Sequence, residues 1–445
     1  MRPLRTNEKC GLTLLSLAAL FALGFGAATQ PPAPSASAPA APAAAAPVDA
    51  SAAAAAGRPV LLYADRVLDG RGNAATHVTI RVVGSRIAAV TPGTPAAAAT
   101  YDVCGGLTLM PGGVDTHVHI GWHFGANGKS RSGEDKSEPP GQAMLYAVEN
   151  ALATVRGGIT TVQSLGAPED RDLRDAIARG IIPGPRVLTS LAPITEETGP
   201  AAKMRATVRE RAAQGADVIK IFASKSIRDG GGPTLSQEQL DAACGEARAH
   251  NLRSAVHSHG VESTRRAVLA GCTSIEHGVL LDAPTLRLMA EHGTWFDPNI
   301  DLVFRNYFEN QAHFLGIGNY TAEGFAQMRR AVPLALAVFK QALATPGLKV
   351  VFGTDAVAGS HGRNFEELVY RVSTGGQNPM AALVSATSLA AESLGLQDRI
   401  GAIAPGMDAD LIAVQGDPLE DIDALRRVVW VMKAGQVVKN ETRCR

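Results

Sequence analysis

The pattern of apolar and polar residues divides the chain into regions. From about residue 113 to 404, short apolar runs alternate with longer stretches in which apolar residues recur every three or four positions. The first pattern is typical of buried strands, and the second of helices that pack on one face. Eight strands are predicted in this region: 114–119, 160–164, 186–189, 218–223, 253–257, 274–277, 294–297 and 349–353.

Helical patterns lie between these strands. They cover residues 142–155, 173–178, 202–214, 237–250, 263–270 and 284–291. Apolar strands that alternate with helices favour a parallel sheet, and eight repeats favour a closed barrel over an open sheet. We therefore predict an α/β fold with a (β/α)8 barrel at 113–404, whose active-site residues lie at the carboxyl ends of the strands.

Both ends of the folded region carry short strand patterns instead. Near the start, turns such as Asp69-Gly70-Arg71-Gly72 separate these strand patterns. Near the end, similar strand patterns cover Asp410 to Val414 and Val428 to Lys433. We expect residues 58–112 and 405–445 to build one small β-sandwich domain, into which the barrel is inserted.

The amino terminus is typical of an export signal. Arg2, Arg5 and Lys9 precede an apolar run at 12–25, which is followed by small residues through Ala28. The run is short for a membrane span and is interrupted by Ser and Gly, so stable membrane insertion is not expected. We predict a cleaved signal at 1–28, an Ala/Pro-rich linker at 29–57, and a periplasmic or secreted protein.

Composition excludes few functions but bears on partners. The formal net charge is +0 with no basic patch, which argues against nucleic acid as a partner. A small-molecule substrate is expected, and a homo-oligomer is compatible with the sequence. Four cysteines would remain after processing, and their pairing cannot be assigned from the sequence.

The end of the first predicted strand carries two histidines with one residue between them. Because side chains alternate along a strand, His117 and His119 share a face, an arrangement that suits one metal ion. Such a pair is a weak signal by itself. The other strand ends, however, supply further ligand types: Lys220, His257, His277 and Asp355.

Lys220 lies in the apolar segment Val-Ile-Lys-Ile-Phe, where an unpaired ammonium group is costly. Desolvation and a nearby metal charge lower the pKa of an amine, which makes it nucleophilic towards carbon dioxide. A carbamate formed there could bridge two cations. The alternative is a lysine that forms a salt bridge at its strand end.

These residues predict a two-metal centre. His117, His119 and Asp355 would hold one ion and His257 and His277 the other, with carboxylated Lys220 between them. Nitrogen and oxygen ligands suit Zn2+, although manganese or cobalt also fits. The ions would acidify a bridging water, and Asp355 could orient it and carry its proton to the leaving group.

The order of these motifs resembles the metal-dependent amidohydrolase superfamily, in its imidazolonepropionase-like and prolidase-like branch with two-metal centres. The matching segments are 111–119, 218–224, 255–260, 274–278, 353–356 and the tail 400–411, within a match from about 60 to 438. The resemblance implies zinc, a carboxylated Lys220 and amide hydrolysis. It is strongest to bacterial enzymes that release a carboxyl-terminal amino acid from short peptides or N-acyl amino acids, including those that hydrolyse ochratoxin A.

Several residues beyond the ligands are candidates for catalysis or substrate binding. His259 shares a face with His257 and either donates to the substrate carbonyl or packs at the barrel rim. Lys225 and Arg228 either bind a substrate carboxylate or lie on a charged loop that faces water. His361 either contacts the polar end of the substrate or is a solvated loop residue, and His123 is a weaker candidate.

Two long segments, 121–139 and 300–320, are expected to be loops that wall the barrel mouth. The second contains Phe304, Tyr307, Phe308, Phe314 and Tyr320. These aromatics either contact an apolar substrate side chain or form the core of a helical cap.

The sequence thus predicts a two-metal amide hydrolase with carboxypeptidase-like or prolidase-like specificity. Two alternatives stay open: a hydrolase of a cyclic amide or lactone with the same centre, and a catalytically silent relative that acts as a binding scaffold.

Overall fold

A computed structural model describes residues 59–95, 99–103, 105–132 and 137–442. The predicted signal at 1–28 and the linker at 29–57 lie outside the described residues. The strands, in chain order, are β1 (Val60–Leu68), β2 (Ala74–Val83), β3 (Arg86–Pro92), β4 (Tyr101–Val103), β5 (Leu107–Pro111), β6 (Gly113–Val118), β7 (His123–Phe124), β8 (Ser130–Arg131), β9 (Ile159–Ser164), β10 (Arg186–Thr189), β11 (Val218–Phe222), β12 (Arg253–Gly260), β13 (Ser274–Leu280), β14 (Trp295–Asp297), β15 (Leu411–Gln415), β16 (Val428–Lys433) and β17 (Gln436–Asn440).

The helices lie between β8 and β15. They are α1 (Pro140–Arg156), α2 (Asp170–Ala178), α3 (Ala201–Ala213), α4 (Gln237–Ala249), α5 (Val261–Leu269), α6 (Ala283–His292), α7 (Leu302–Glu309), α8 (Gln311–Phe314), α9 (Ala322–Leu343), α10 (Phe365–Ser373), α11 (Pro379–Ser385) and α12 (Ser388–Ser393). Local signals fix several of their starts. Ser236 and Gln239 form a capping box before α4, and the side chains of Asp282 and Thr321 cap α6 and α9.

Strands from both chain ends share one sheet, in the order β17-β16-β15-β5-β1-β2-β3, with β4 paired to β1. Its apolar core includes Leu62, Ile80 and Trp430, which pack against the returning segment at Ile403 and Met407. Strands from the start and from the end of the described region therefore share one sheet. Because the pairings give a single connected sheet, the β-sandwich stays a prediction.

The remaining long strands are parallel and follow one another in a ring of pairings, which we call the strand circuit. It runs β6-β9-β10 and β11-β12-β13-β14. Isolated bridges continue it from Ile194 to Ile221, from Phe296 to Val350, and from Ala356 back to Val118. The segment 350–356 thus takes the eighth position, between β14 and β6.

The strands of the circuit are buried on both faces. Every residue of β6 and β9 is buried, and so are the first four residues of β11. Parallel strands covered on both faces contain near-continuous apolar runs, which explains the sequence pattern. The α/β class is confirmed, and the predicted helices between strands agree with α1 to α6 within a few residues.

The segment 300–320 is not the loop that the sequence predicted. It forms α7 and α8, and the 22-residue helix α9 follows them. Phe314 is fully buried against Tyr307 and Tyr320, with ring centroids 4.9 and 5.3 Å away. We call 302–343 the helical cap. Its aromatics pack on each other, so the structure favours the helical cap that the sequence left open as the alternative to a loop.

Among the described residues, no helix is both long enough and apolar enough to cross a membrane.

Candidate metal centre

The six predicted ligands converge at the carboxyl ends of the circuit strands. They line one cavity of about 300 Å³, together with His259 and residues of the helical cap. All six are largely or fully buried, since they lie at the ends of strands that are covered on both faces. The structure therefore brings together residues that are far apart in the sequence. His117 and Asp355, for example, are separated by 238 positions.

His117, His119 and Asp355 form a compact first set. Oδ1 of Asp355 lies 3.5 Å from Nε2 of His117 and 3.2 Å from Nε2 of His119. One potential ligand atom from each residue lies within 4.8 Å of the other two. Two imidazole nitrogens and a carboxylate at this spacing fit a divalent transition metal.

His257, His277 and Lys220 form the second set. The rings of His257 and His277 meet edge to face with centroids 4.7 Å apart. Nζ of Lys220 lies 3.3 Å from Nε2 of His117, so the lysine joins the two sets.

The protonation states favour metal binding. Burial lowers the pKa of His117, His257 and His277 well below the ordinary value, and the positive charge of Lys220 adds to this effect. Neutral imidazole is the form that binds a metal. Burial also lowers the pKa of Lys220, although the carboxylates of Glu276 and Asp355 oppose the shift.

Asp355 is the anionic ligand of the site. Burial raises its pKa, but the neighbouring His117, His119 and Lys220 outweigh burial, so the pKa lies below the ordinary value. Asp355 and His277 also have positive φ angles of 51° and 71°. Left-handed backbone is uncommon outside glycine and costs energy, and such strain is concentrated at functional sites.

A second carboxylate lies beside the ring nitrogen of His117 that faces away from Asp355. Oε2 of Glu276 lies 2.9 Å from Nδ1 of His117, and both side chains are 1% exposed. Ser274 donates a hydrogen bond of 2.5 Å to Oε1 of Glu276. A carboxylate at the second nitrogen of a metal-binding histidine fixes its tautomer and ring orientation.

Asp297 is buried beside Glu276. Thr116 and Asn299 donate hydrogen bonds of 2.7 and 3.0 Å to its two oxygens. Burial and the neighbouring Glu276 charge raise the pKa of Asp297 well above the ordinary value. Gly353 makes room for it, because a Cβ at that position would lie 1.8 Å from Oδ2 of Asp297.

Asp115 ties the first circuit strand to the eighth segment. Its carboxylate accepts hydrogen bonds from the backbone N–H groups of His117 and Thr354, each at 3.1 Å, and from the side chains of Thr354 and Asn364 at 2.6 and 2.7 Å. Burial raises the pKa of Asp115 to about 7, although the four hydrogen bonds oppose this shift. Asp115 therefore fixes the backbone on which His117 and Asp355 lie.

Of the two loop candidates for a substrate carboxylate, Arg228 reaches the cavity. Its guanidinium lies 3.9 Å from the ring centroid of Tyr320 and 5.7 Å from that of Tyr307, and Nε donates a 2.8 Å hydrogen bond to Asn319. Lys225 does not line the cavity and is exposed. The structure thus assigns Arg228 and not Lys225 to the cavity, whereas the sequence did not distinguish between them.

The three histidines that the sequence proposed beyond the ligands do not all lie at the cavity. His259 lines the cavity, and its ring stacks on His277 with centroids 5.0 Å apart. Burial lowers the pKa of His259 to about 3, and Arg228 and Lys220 contribute, so its ring is neutral at ordinary pH. A neutral imidazole can still donate one hydrogen bond to a substrate carbonyl.

His123 and His361 lie outside the lining of this cavity. Both ring nitrogens of His123 are engaged, with Gly121 O and Glu138 Oε2 each 2.8 Å away. Nε2 of His361 lies 3.2 Å from the carbonyl oxygen of Trp122, and its side chain borders a separate surface cavity. These contacts give both histidines a structural role and argue against substrate contact.

Sequence reasoning missed Glu276, Asp297, Trp122 and Asn319. Glu276 was recognisable, because an acidic residue within an apolar strand is the same signal that identified Lys220. Trp122 and Asn319 lie in the two segments that the sequence predicted to wall the barrel mouth, but no pattern singled out these residues within them.

A model of the amidohydrolase family matches residues 108–438. The chain belongs to the amidohydrolase family. Its members are metal-dependent, and the compact set of His117, His119 and Asp355 agrees with that dependence. Membership confirms the predicted class, an enzyme that hydrolyses amide bonds.

Individual relatives agree with the predicted branch. Ochratoxinase from Aspergillus niger is 28% identical over 375 residues, which cover 74% of this chain and 75% of the relative. A solved Xaa-Pro dipeptidase with methionine in its active site superposes with a TM-score of 0.77 at 30% identity, covering 86% of this chain and all of the other. A prolidase complexed with N-methylphosphonate-L-proline gives a TM-score of 0.74 at 28% identity, with the same coverage.

Proposed function

We propose that this amidohydrolase is an exported two-metal enzyme that releases the carboxyl-terminal amino acid from a short peptide or an N-acyl amino acid. The observation that carries the proposal is that one cavity is lined both by six ligand-type residues and by Arg228. The ligands provide a place for amide cleavage. Arg228 provides a cation for the free carboxylate beside that amide.

In this proposal His117, His119 and Asp355 hold one ion, and His257 and His277 hold the other. The donor set of imidazoles and carboxylate favours Zn2+. Bound ions would supply Lewis acidity, which lowers the pKa of a water and polarises the scissile carbonyl.

Lys220 is carboxylated in the active form. Its neutral amine attacks the carbon of dissolved carbon dioxide, an N–C bond forms as one C–O π bond breaks, and the nitrogen releases a proton. The proton passes to water, and the uncharged amine becomes a carbamate anion between the two ligand sets. The position of Nζ, 3.3 Å from Nε2 of His117, supports this assignment.

Asp355 moves the proton during hydrolysis. Its carboxylate takes a proton from the attacking water and delivers it to the nitrogen of the departing amine, which leaves as a free amino acid. His259 is placed on the same cavity wall to donate a hydrogen bond to the carbonyl oxygen. Arg228 holds the carboxylate, so the amide is oriented before it reacts.

The cavity favours an apolar amino acid on the departing side. Val303, Phe304 and Met328 of the helical cap line it near Tyr307 and Tyr320, which contact Arg228. Relatives described as a Xaa-Pro dipeptidase and an ochratoxinase support substrates of this class. Hydrolysis of ochratoxin A to ochratoxin alpha and phenylalanine is one such reaction.

We also propose that the strand circuit is the predicted (β/α)8 barrel at 113–404, and that 58–112 and 405–445 form the small domain. A disulfide between Cys244 and Cys272 supports export, because such bonds persist in oxidising compartments.

The decisive experiment is a panel of dipeptides, N-acyl amino acids and cyclic amides or lactones, incubated with the zinc-loaded protein. We expect release of free amino acid from substrates with a free carboxylate and about two metal ions per chain by elemental analysis. Turnover of the cyclic compounds alone would replace the proposal by the cyclic-substrate alternative. One ion per fully active chain would disprove the two-metal centre.

A further inference from the structure

The proposed substrate also contains an acyl group, which would lie on the side of the cavity away from Arg228. Arg228 follows β11, at the fourth position of the strand circuit. Trp122 follows β6, at the first position, and lines the same cavity. Three positions apart in a circuit of eight, these residues lie on facing sides of the cavity.

The ligands lie between these two residues. On one side the ring of Trp122 packs against His119, with centroids 4.6 Å apart and planes 32° apart. On the other side Lys220 is on β11, the strand that leads to Arg228. An amide bond at the ligands with its carboxylate on Arg228 therefore directs its acyl group towards Trp122.

Trp122 is fixed in place. Its carbonyl oxygen accepts a 2.9 Å hydrogen bond from Nδ2 of Asn150 and lies 3.2 Å from Nε2 of His361. Two side chains thus hold the backbone, and His119 holds the ring. A rigid aromatic surface loses little entropy when a ligand stacks on it.

We propose that Trp122 forms the acyl subsite and gives the enzyme a preference for planar, aromatic acyl groups. The inference rests on the proposed function, because it places the scissile amide at the six ligands. Among the described residues that line the cavity, Trp122 is the aromatic contributed by the loop after β6. Aromatic pairs gain stabilisation beyond their buried area, which aliphatic acyl groups lack.

The test compares N-benzoyl-phenylalanine with N-acetyl-phenylalanine in three variants. Trp122→Leu removes the aromatic surface and keeps apolar bulk, whereas Trp122→Phe keeps an aromatic ring. Trp295→Leu is the matched control, because Trp295 begins β14 at the opposite end of the strands from the cavity. We expect the benzoyl-to-acetyl ratio of kcat/KM to fall about tenfold in Trp122→Leu and to change less than twofold in the other two.

A second measurement separates this inference from the proposed function. Calorimetry on the metal-loaded Asp355→Asn protein, with and without Trp122→Leu, gives the affinity for both compounds without turnover. A Trp122-dependent preference for the benzoyl compound supports the subsite even if the unaltered enzyme cleaves neither compound. Equal losses for both compounds, or an unchanged ratio in both measurements, would overturn it, as would a failure of the protein to bind either.

Discussion

Nδ1 of His117 lies 2.9 Å from Oε2 of Glu276, and neither side chain is more than 1% exposed. The other ring nitrogen of His117 faces Asp355 and Lys220. His117 therefore connects the proposed metal centre to a buried carboxylate, which in turn lies beside Asp297. Glu276 thus has a buried partner within a strand that also carries the predicted ligand His277.

Glu276→Gln is expected to weaken metal binding by about ten- to a hundredfold, because the amide holds the imidazole less firmly than a carboxylate does. Competition with a chelator measures the affinity directly. Glu276→Asp is the conservative partner and should recover part of the loss. Equal metal affinity in all three proteins would show that Glu276 only fills space.

Lys220→Ala is expected to retain about one metal ion and to lose most activity, because the second set keeps two neutral imidazoles and loses its bridging anion. Small carboxylic acids such as acetate or propionate should restore part of the activity by occupying the vacated position. Elemental analysis and a titration of rate against added acid check both points. Full activity with two ions in Lys220→Ala would refute the bridging role.

Asp355→Asn is expected to keep the fold and much of the metal while turnover falls by about a hundredfold or more, since asparagine offers an oxygen ligand but cannot take a proton. Steady-state kinetics and metal analysis are run on the same preparation. If turnover stays near that of the unaltered enzyme at full metal content, another group carries the proton.

Arg228→Ala is expected to reduce kcat/KM for N-acyl-phenylalanine by about ten- to a hundredfold, which corresponds to the 1.5–3 kcal/mol of a hydrogen bond to a charged group. The carboxamide of the same compound should be a poor substrate of the unaltered enzyme and should be little affected by the substitution. Lys225→Ala is the matched control, because Lys225 is exposed and lies outside the cavity lining. Equal hydrolysis of acid and carboxamide by the unaltered enzyme would reject the carboxylate anchor.

The disulfide between Cys244 and Cys272 closes a sequence separation of 28 residues between α4 and the segment before β13. Its loss in the double variant Cys244→Ala/Cys272→Ala is expected to lower the free energy of unfolding by about 3–4 kcal/mol, chiefly by freeing the unfolded chain. Denaturant unfolding with and without reductant measures this effect. Reductant should destabilise the unaltered protein and leave the double variant unchanged, and alkylation of Cys244 and Cys272 in unreduced protein isolated from an oxidising compartment would contradict the pairing.

The sequence by itself determined the alternation of strands and helices and the six candidate ligands that line one cavity. Both are local signals: a buried parallel strand needs a continuous apolar run, and a charged residue such as Lys220 within it has few reasons to be there other than chemistry. Strand alternation also placed His117 and His119 on one face. The order of the strands then predicted that the ligands would meet.

Tertiary structure decided what local pattern cannot specify. Lys225 and Arg228 are three residues apart on one loop, and only the packing of that loop against Asn319 and Tyr320 selects Arg228. The same is true of Cys244 and Cys272, since four cysteines allow several pairings. Contacts between distant segments also decide how the helical cap packs, how Glu276 lies beside His117 and how Trp122 reaches the cavity. Such contacts depend on packing in three dimensions, and a local sequence pattern does not record which segments meet.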